Sequence, residues 1–466
     1  MILAQGDVIS TDGGPANPAA GSMSVIARRL DALPLTHVHG AILAVCIFAL
    51  FTDFAEVALS NAFAAIFTAP PYNMPRGSLS LLLASVFVGG AVGAPIFGML
   101  GDRFGRRRAL QASLGLMAAG SLAAALSPGL ASLTLARAVS GFAIGGFPPL
   151  AATYLADVMP PRRRGAMLLV CSGLGSLGGS AVIGLVYALA LAPPLGVEPW
   201  RWVLGLGAVL AVLGAVLFGL MPESPRWLAS VGRTVEADHV CRRFEYAARI
   251  APSASLNEIA LAPGSLLRVG LDAPYSAPVQ RRRTALFIAL YTVAPWATLG
   301  FPLLSSVVML QKGFRVDQSL IFGALSLLGP PLGTTLTALV IDRLERRTCL
   351  VALAGTMAVL GTVFAASSTF SALVLSGIAF NTAAATYGGI LVIYATEILP
   401  TSVRATALAY AWAGGRVSAA LAPIVLLPIL AADGPHTMFA VITSALVLSG
   451  ILVLGGPRGL SGKGVA

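Results

Sequence analysis

Three ionisable side chains stand where an apolar chain should carry none. Asp53 and Glu56 lie three residues apart in the string FTDFAEVAL, inside an apolar run that opens at Ala41, and Arg416 lies deep in another run near the C-terminal end. A charge at the centre of a bilayer costs about 2.5 to 3.5 kcal/mol on insertion scales, so each of these needs a reason. At about 1.5 Å of rise per residue, Asp53 is roughly 18 Å along its helix, close to the midplane, and Arg416 is about as far from Arg404 along its own. The spacing of three places Asp53 and Glu56 on one helical face, where two poorly hydrated carboxylates repel and a shared proton relieves them. That is the chemistry of a proton carrier. A guanidinium does not shed its charge, and its fork matches a carboxylate, so Arg416 suits a bound anion, or else a salt bridge to Asp53 or Glu56 that alternates with one. Arg137 is a further candidate anion ligand, with Gly141 and Gly145 behind it to let a partner helix pack closely.

The elements that hold these groups must be membrane helices. The 466 residues are 57% hydrophobic and 11% charged, too apolar for a soluble globule and too long for one anchor. A bilayer core about 30 Å thick takes about 20 apolar residues per helix. Twelve such stretches are predicted, near 41–66, 79–100, 109–127, 132–156, 166–192, 202–221, 284–308, 318–340, 348–366, 371–396, 405–430 and 436–456. Two short patches recur at an offset of 240: GDRFGRRR at 101–108 with IDRLERRT at 341–348, and YLADVMPPRRRG at 154–165 with YATEILPTSVRA at 394–405. The fold expected is therefore all-α and polytopic, a duplication giving two pseudo-symmetric six-helix bundles at 41–221 and 284–456.

Arginine placement sets the expected orientation. Of 30 Lys and Arg, 24 fall in the segments on one side of the membrane, which makes that side, both termini and the 222–283 linker cytoplasmic. The net charge of +11 follows from topology and headgroup contact, with no call on nucleic acid. Residues 1–40 read as a flexible N-terminal tail and 457–466 as a short C-terminal one. Within the linker an amphipathic stretch around Val235 to Ile250 is suited to lie along the membrane face. Four scattered cysteines and four histidines outside the mid-membrane region offer no metal site, and no cofactor or enzymatic cluster is expected.

GDRFGRRR, its weaker copy, Arg137 in RAVSGFAIGG, PESPRWL at 222–228 and EILPTSVRA at 397–405, in that order between successive helices, resemble the major facilitator superfamily. The resemblance implies two bundles rocking about a central site. Asp102, with Arg103 and Arg106, is positioned to meet a helix N-terminus and bridge neighbouring helices as a cytoplasmic gate. Asp342 and Arg343 repeat it, although Ile341 and Glu345 replace the two glycines. Asp157 with Arg164, Glu397 with Arg404, and Glu223 with Arg226 complete this inner network by resemblance.

More narrowly, an acidic pair in the first span with arginines in the fourth and eleventh is similar to the aromatic acid:proton symporters, although Asp53-Phe54-Ala55-Glu56 lacks that family's glycine. Trp296, Tyr387 and Trp412, with Asn381, would then wall the pocket. The expectation is a proton-coupled symporter of a small organic carboxylate, aromatic ones included, acting as one chain. The alternatives are a sugar or polyol porter, favoured by PESPRWL but short of amides in its spans, and a drug or metabolite:proton antiporter, which GLGSLGGSAVIG at 173–184 fits poorly for want of a proline. Scarce lysine beside abundant arginine and alanine suggests a GC-rich bacterium, hence an inner membrane.

Overall fold

The computed structural model describes residues 18–249, 277–340, 345–398 and 401–457. A leading helix, α1 (Pro18–Ala32), precedes six crossings: α2 (His37–Thr68), α3 (Arg76–Phe104), α4 (Arg106–Ala125), α5 (Leu130–Val158), α6 (Pro161–Leu191) and α7 (Pro199–Leu220). Two short helices follow, α8 (Pro225–Ser230) and α9 (Thr234–Ala247). The seventh crossing is broken into α10 (Ala277–Val293), α11 (Pro295–Thr298) and α12 (Gly300–Gln311), and the eighth into α13 (Val316–Ser326) and α14 (Gly329–Val340). The ninth and tenth are α15 (Arg346–Ala366) and α16 (Phe370–Ile398). The last two form α17 (Thr401–Leu454), which turns at Gly434, where a φ of 81° suits glycine. Among the described residues, ten helices qualify as spans on length and hydropathy alone. The count reaches twelve because α17 holds two crossings and because α4, whose opening arginines dilute its hydropathy, is about 30 Å long.

The duplication reaches the packing. In the first half α3 lies against α5, α2 against α6, and α4 against α5 and α7; in the second α14 lies against α16, α10 against α17, and α15 against α16 and α17. Even the register is kept. Gly89 and Gly93 of α3 leave room only for the carbonyls of Ala138 and Phe142, and Gly329 and Gly333 of α14 only for those of Ile378 and Thr382, each pair displaced by 240 residues. A Cβ at any of the four would collide with backbone. Close approach of this kind is how helices associate in lipid, where no hydrophobic drive acts between them.

One apolar core joins the two bundles and a second belongs to the first half. The joint core links Phe63 and Phe87 to Phe287, Phe301 and Phe380. The other holds the arginine-rich ends of α2 to α7 together with Ile26 and Leu30 of α1, Trp227 of α8 and Phe244 of α9. Two expectations change here. Residues 18–32, read as part of a flexible tail, form a helix, because Ile26, Leu30 and Leu33 find an apolar surface to bury against. Residues 225–247, read as linker, are folded onto the first bundle. Arg29 fixes the two together. It is buried, with Nε and Nη2 donating to Glu245 at 2.8 and 2.9 Å and Nη1 to Asp238 at 2.6 Å. The Glu245 hydrogen bonds hold its guanidinium above the ordinary arginine range.

Candidate functional site

Asp53 and Glu56 part company in the structure. Residues three apart on a helix differ by about 60° in direction, and here that angle separates the bundle interface from the bundle interior. Glu56 points inward and is 3% exposed. Its Oε2 meets Nη1 of Arg137 at 2.5 Å, Ser121 donates to Oε1, and Nη2 of Arg137 donates to the Glu56 carbonyl at 2.8 Å and to Ser60 at 3.3 Å. Gly207 of α7 faces the same carboxylate, and any side chain there would strike it. Arg137 is fully buried, its guanidinium 5.5 Å from the Phe63 ring centroid. The fork proposed for a substrate anion is thus occupied by a residue of its own bundle.

Asp53 points the other way. It is 1% exposed, and no hydrogen bond or ion pair reaches it among the described residues. Arg416, from the opposite bundle, lies within electrostatic reach without closing a salt bridge, and its Nε is buried and unpartnered. The local sequence explains how Arg416 arrives there. Gly414 and Gly415 let α17 settle against Thr292 and Tyr291 of α10, and Gly90 of α3 lies beside the Arg416 stem, where a Cβ would come to 3.7 Å of Cδ. Trp412 lies one turn earlier with its ring 5.5 Å from the guanidinium. Tyr291 stands 6.2 Å from Trp412 between ring centroids, and its buried hydroxyl has no partner among the described residues. Asp53, Arg416, Trp412 and Tyr291 therefore form one cluster between the bundles.

The remaining pocket candidates are engaged elsewhere or stand apart. The Tyr387 hydroxyl pairs with Ser449 at 2.6 Å inside the second bundle. Asn381 donates to the Ser326 carbonyl at 3.1 Å, next to the break between α13 and α14. Trp296 is half-buried on α11. Tyr291 carries no distinguishing signal in the sequence, because a tyrosine in an apolar span reads equally as packing.

On the arginine-rich face the gate residues form a network different from the expected one. Arg106 bridges Asp102 at 2.5 Å and Asp157 at 3.6 Å. Asp157 accepts from Ser224 at 2.9 Å and pairs with no Arg164 fork. Glu223 accepts the backbone N–H groups of Arg107 and Ser224 at 3.0 and 2.9 Å in place of Arg226, which reaches Asp31 of the leading helix and the Asp157 carbonyl. Backbone donors at the openings of α4 and α8 out-compete a side chain that the leading helix draws away. Arg103 is exposed over Phe104. Asp342 and Arg343 lie outside the described residues, as do the side chains of Glu397 and Arg404.

Hydrogen bonds between bundles occupy the opposite half of the membrane. Asn61 of α2 donates to the Pro302 carbonyl of α12 and accepts from Ser306 at 2.7 Å. Ser80 donates to the Pro423 carbonyl at 3.1 Å, and Ser180 to that of Ala324. This half of the interface is closed.

Comparisons with known proteins agree with this architecture. YyaJ of Bacillus subtilis (strain 168), whose name assigns it to metabolite transport, is 28% identical over 399 residues, covering 84% of this chain and 86% of its own. The arabinose-proton symporter of the same organism is 36% identical over 176 residues, 37% of this chain and 38% of that one. A solved structure of the xylose transporter XylE from E. coli superposes with a TM-score of 0.73 at 18% identity, over 91% of this chain and 99% of the other. These findings lean to the sugar or metabolite side of the alternatives rather than to an aromatic carboxylate. The model of the family described as "Sugar (and other) transporter" matches residues 50–455, so this multi-pass membrane chain is a transporter belonging to that family, within the major facilitator superfamily.

Proposed function

We propose that the chain couples the inward movement of a proton to that of a small sugar-like solute across a bacterial inner membrane, with its arginine-rich face toward the cytosol. The observation that carries the reading is Asp53, a buried carboxylate with no partner in its own bundle, beside an arginine of the other. An isolated buried carboxylate is costly when charged and cheap when protonated, so it takes up a proton where water reaches it and gives it up when a cation approaches. Arg416 is that cation. Rocking of the bundles changes its distance to Asp53, whereas the Glu56–Arg137 pair travels as a unit and keeps its geometry. Trp412 and Tyr291 offer an apolar wall and a free hydroxyl, a combination that suits a sugar ring. Proton coupling and a sugar substrate are joined in the name of the arabinose-proton relative, which supports carrying both over to this chain. The inner network around Asp102, Arg106 and Asp157 would gate the cytosolic side, and a single chain would suffice as the working unit.

A second reading keeps the mechanism and changes the solute. Among the described residues Arg416 has no carboxylate within salt-bridge distance, which favours a solute that brings its own. Uptake into proteoliposomes of labelled pentoses, hexoses, sugar acids and aromatic acids, with and without an inward proton gradient, decides between them. Gradient-driven accumulation of a neutral sugar, lost in Asp53→Asn, is the expected result. Accumulation only of acids, lost in Arg416→Gln, selects the second reading, and gradient-independent movement of every solute sinks both.

A further inference from the structure

On the arginine-rich face a groove runs between α9 and the ends of the membrane helices, apart from the cluster of Asp53, Arg416, Trp412 and Tyr291; of the gate residues only Glu223 borders it. One part is a cavity of about 420 Å³ lined by Arg107, Arg108, Arg233, His239 and Arg243, with Glu223 and Glu236. The other, of about 880 Å³, shares Met221, Pro222 and Arg243 with it and adds His37, Tyr246 and Arg249. Five arginines thus face two glutamates, and both glutamates are committed. Glu236 is held by Arg233 at 2.5 Å, and Glu223 by the backbone N–H groups of Arg107 and Ser224. Arg108 and Arg243 are exposed and carry no hydrogen bond or ion pair among the described residues. Arg107 gives Nη1 to the Met221 carbonyl at 3.1 Å, and its Nε is buried without a partner.

The lip of the groove is apolar. Phe104 and Leu220 line it and are exposed at helix ends, and Tyr246 stands almost wholly exposed beside Arg243. A cationic floor at the depth of the headgroups, under an apolar rim continuous with lipid-facing residues, matches one kind of ligand: a phosphate ester whose hydrocarbon end stays in the bilayer. We infer that this groove binds a phosphate-ester anion, supplied by an anionic phospholipid of the leaflet at the arginine-rich face, with Arg108 and Arg243 as its principal ligands. Because α9 is tied through Arg29 to the leading helix, a bound headgroup would join α4, α7 and α9 across the seam between them.

The test uses the purified full-length chain, delipidated in detergent and exposed to equal amounts of phosphatidylglycerol and phosphatidylcholine, with retained lipid read by native mass spectrometry. Phosphatidylglycerol is expected to be retained preferentially. The double substitution Arg108→Gln with Arg243→Gln should weaken that retention about thirtyfold, near fivefold for each arginine. Arg242→Gln, which removes a neighbouring arginine paired with Asp238 outside the groove, should leave it unchanged. Arg108→Lys with Arg243→Lys should restore most of it, which separates loss of the ligand from loss of the fold. Saturable retention of inorganic phosphate, lost in the double glutamine variant and without preference for phosphatidylglycerol, would keep the anion site and move its source to the cytosol. Equal retention of the two lipids together with no phosphate retention, or an unchanged double glutamine variant, overturns the proposal.

Discussion

Two buried carboxylates a single turn apart meet two arginines in opposite ways. Glu56 and Arg137 belong to one bundle, lie 2.5 Å apart, and are surrounded by Ser121 and Ser60. Asp53 and Arg416 belong to different bundles, feel each other's charge, and remain unclosed. A pair inside one rigid body is part of the scaffold, whatever its charge. A pair split between bodies that move against each other reports on that motion. That difference is the ground for proposing different roles for residues of the same type and near-identical depth, structural for Glu56 and functional for Asp53.

The comparison is broken most directly at Glu56. Glu56→Ala strands the Arg137 guanidinium in a dry interior and should cost about 3 to 5 kcal/mol, seen as loss of monodisperse protein or a large fall in Tm. Glu56→Leu with Arg137→Met should recover most of it, since removing both charges leaves neither unpaired. A single variant as stable as the parent would end the structural reading of this pair. Asp53→Asn should do the reverse: Tm nearly unchanged, gradient-driven accumulation abolished, solute exchange at equilibrium retained. Gly93→Ala and Gly333→Ala provide a control that the two bundles should share. Each forces a methyl into a backbone and should cost about 1 to 3 kcal/mol, with similar falls in Tm if the halves are equivalent in packing as they are in register. Asn61→Ala has the smallest expected effect, about 0.6 to 1.7 kcal/mol, on the scale of hydrogen bonds between membrane helices. That shifts the population toward opening of the closed half by about threefold to eighteenfold. The change is read as a longer distance between spin labels at Arg76 and Asp317, and an unaltered distribution would remove Asn61 from the latch.

Much of the architecture was legible in the sequence because lipid allows few solutions. Apolar runs of span length, a 240-residue repeat and one-sided arginines together leave little besides two six-helix bundles. The elements that escaped are those whose partners lie far away along the chain. Helix α1 is too polar on average to stand out among the spans, and Arg29 within it is buried only because Glu245 waits 216 residues later. The amphipathic stretch after Val235 could be seen locally, its docking could not. At the site, the depth of Asp53, Glu56 and Arg416 followed from helical rise, but the face each takes did not. A spacing of three is ambiguous between facing together and diverging by about 60°, and only the neighbours Ser121, Arg137 and Gly207 decide it. Asn381 and Tyr387 carried the right chemistry for a pocket, and the structure spends that chemistry on Ser326 and Ser449.

The latch between the bundles is made of an amide, hydroxyls and backbone carbonyls, with no formal charge in Asn61, Ser306, Ser80 or Ser180. A transmembrane potential acts on charge, at about 2.3 kcal/mol per unit per 100 mV, and so has almost no hold on these groups. Opening and closing of that half should therefore be electrically silent. On the proposed mechanism, the current arises instead from the proton carried on Asp53 and from any charge on the solute, and the voltage sensitivity of the empty cycle reports the charged groups that move, Asp53, Arg416 and the inner network among them.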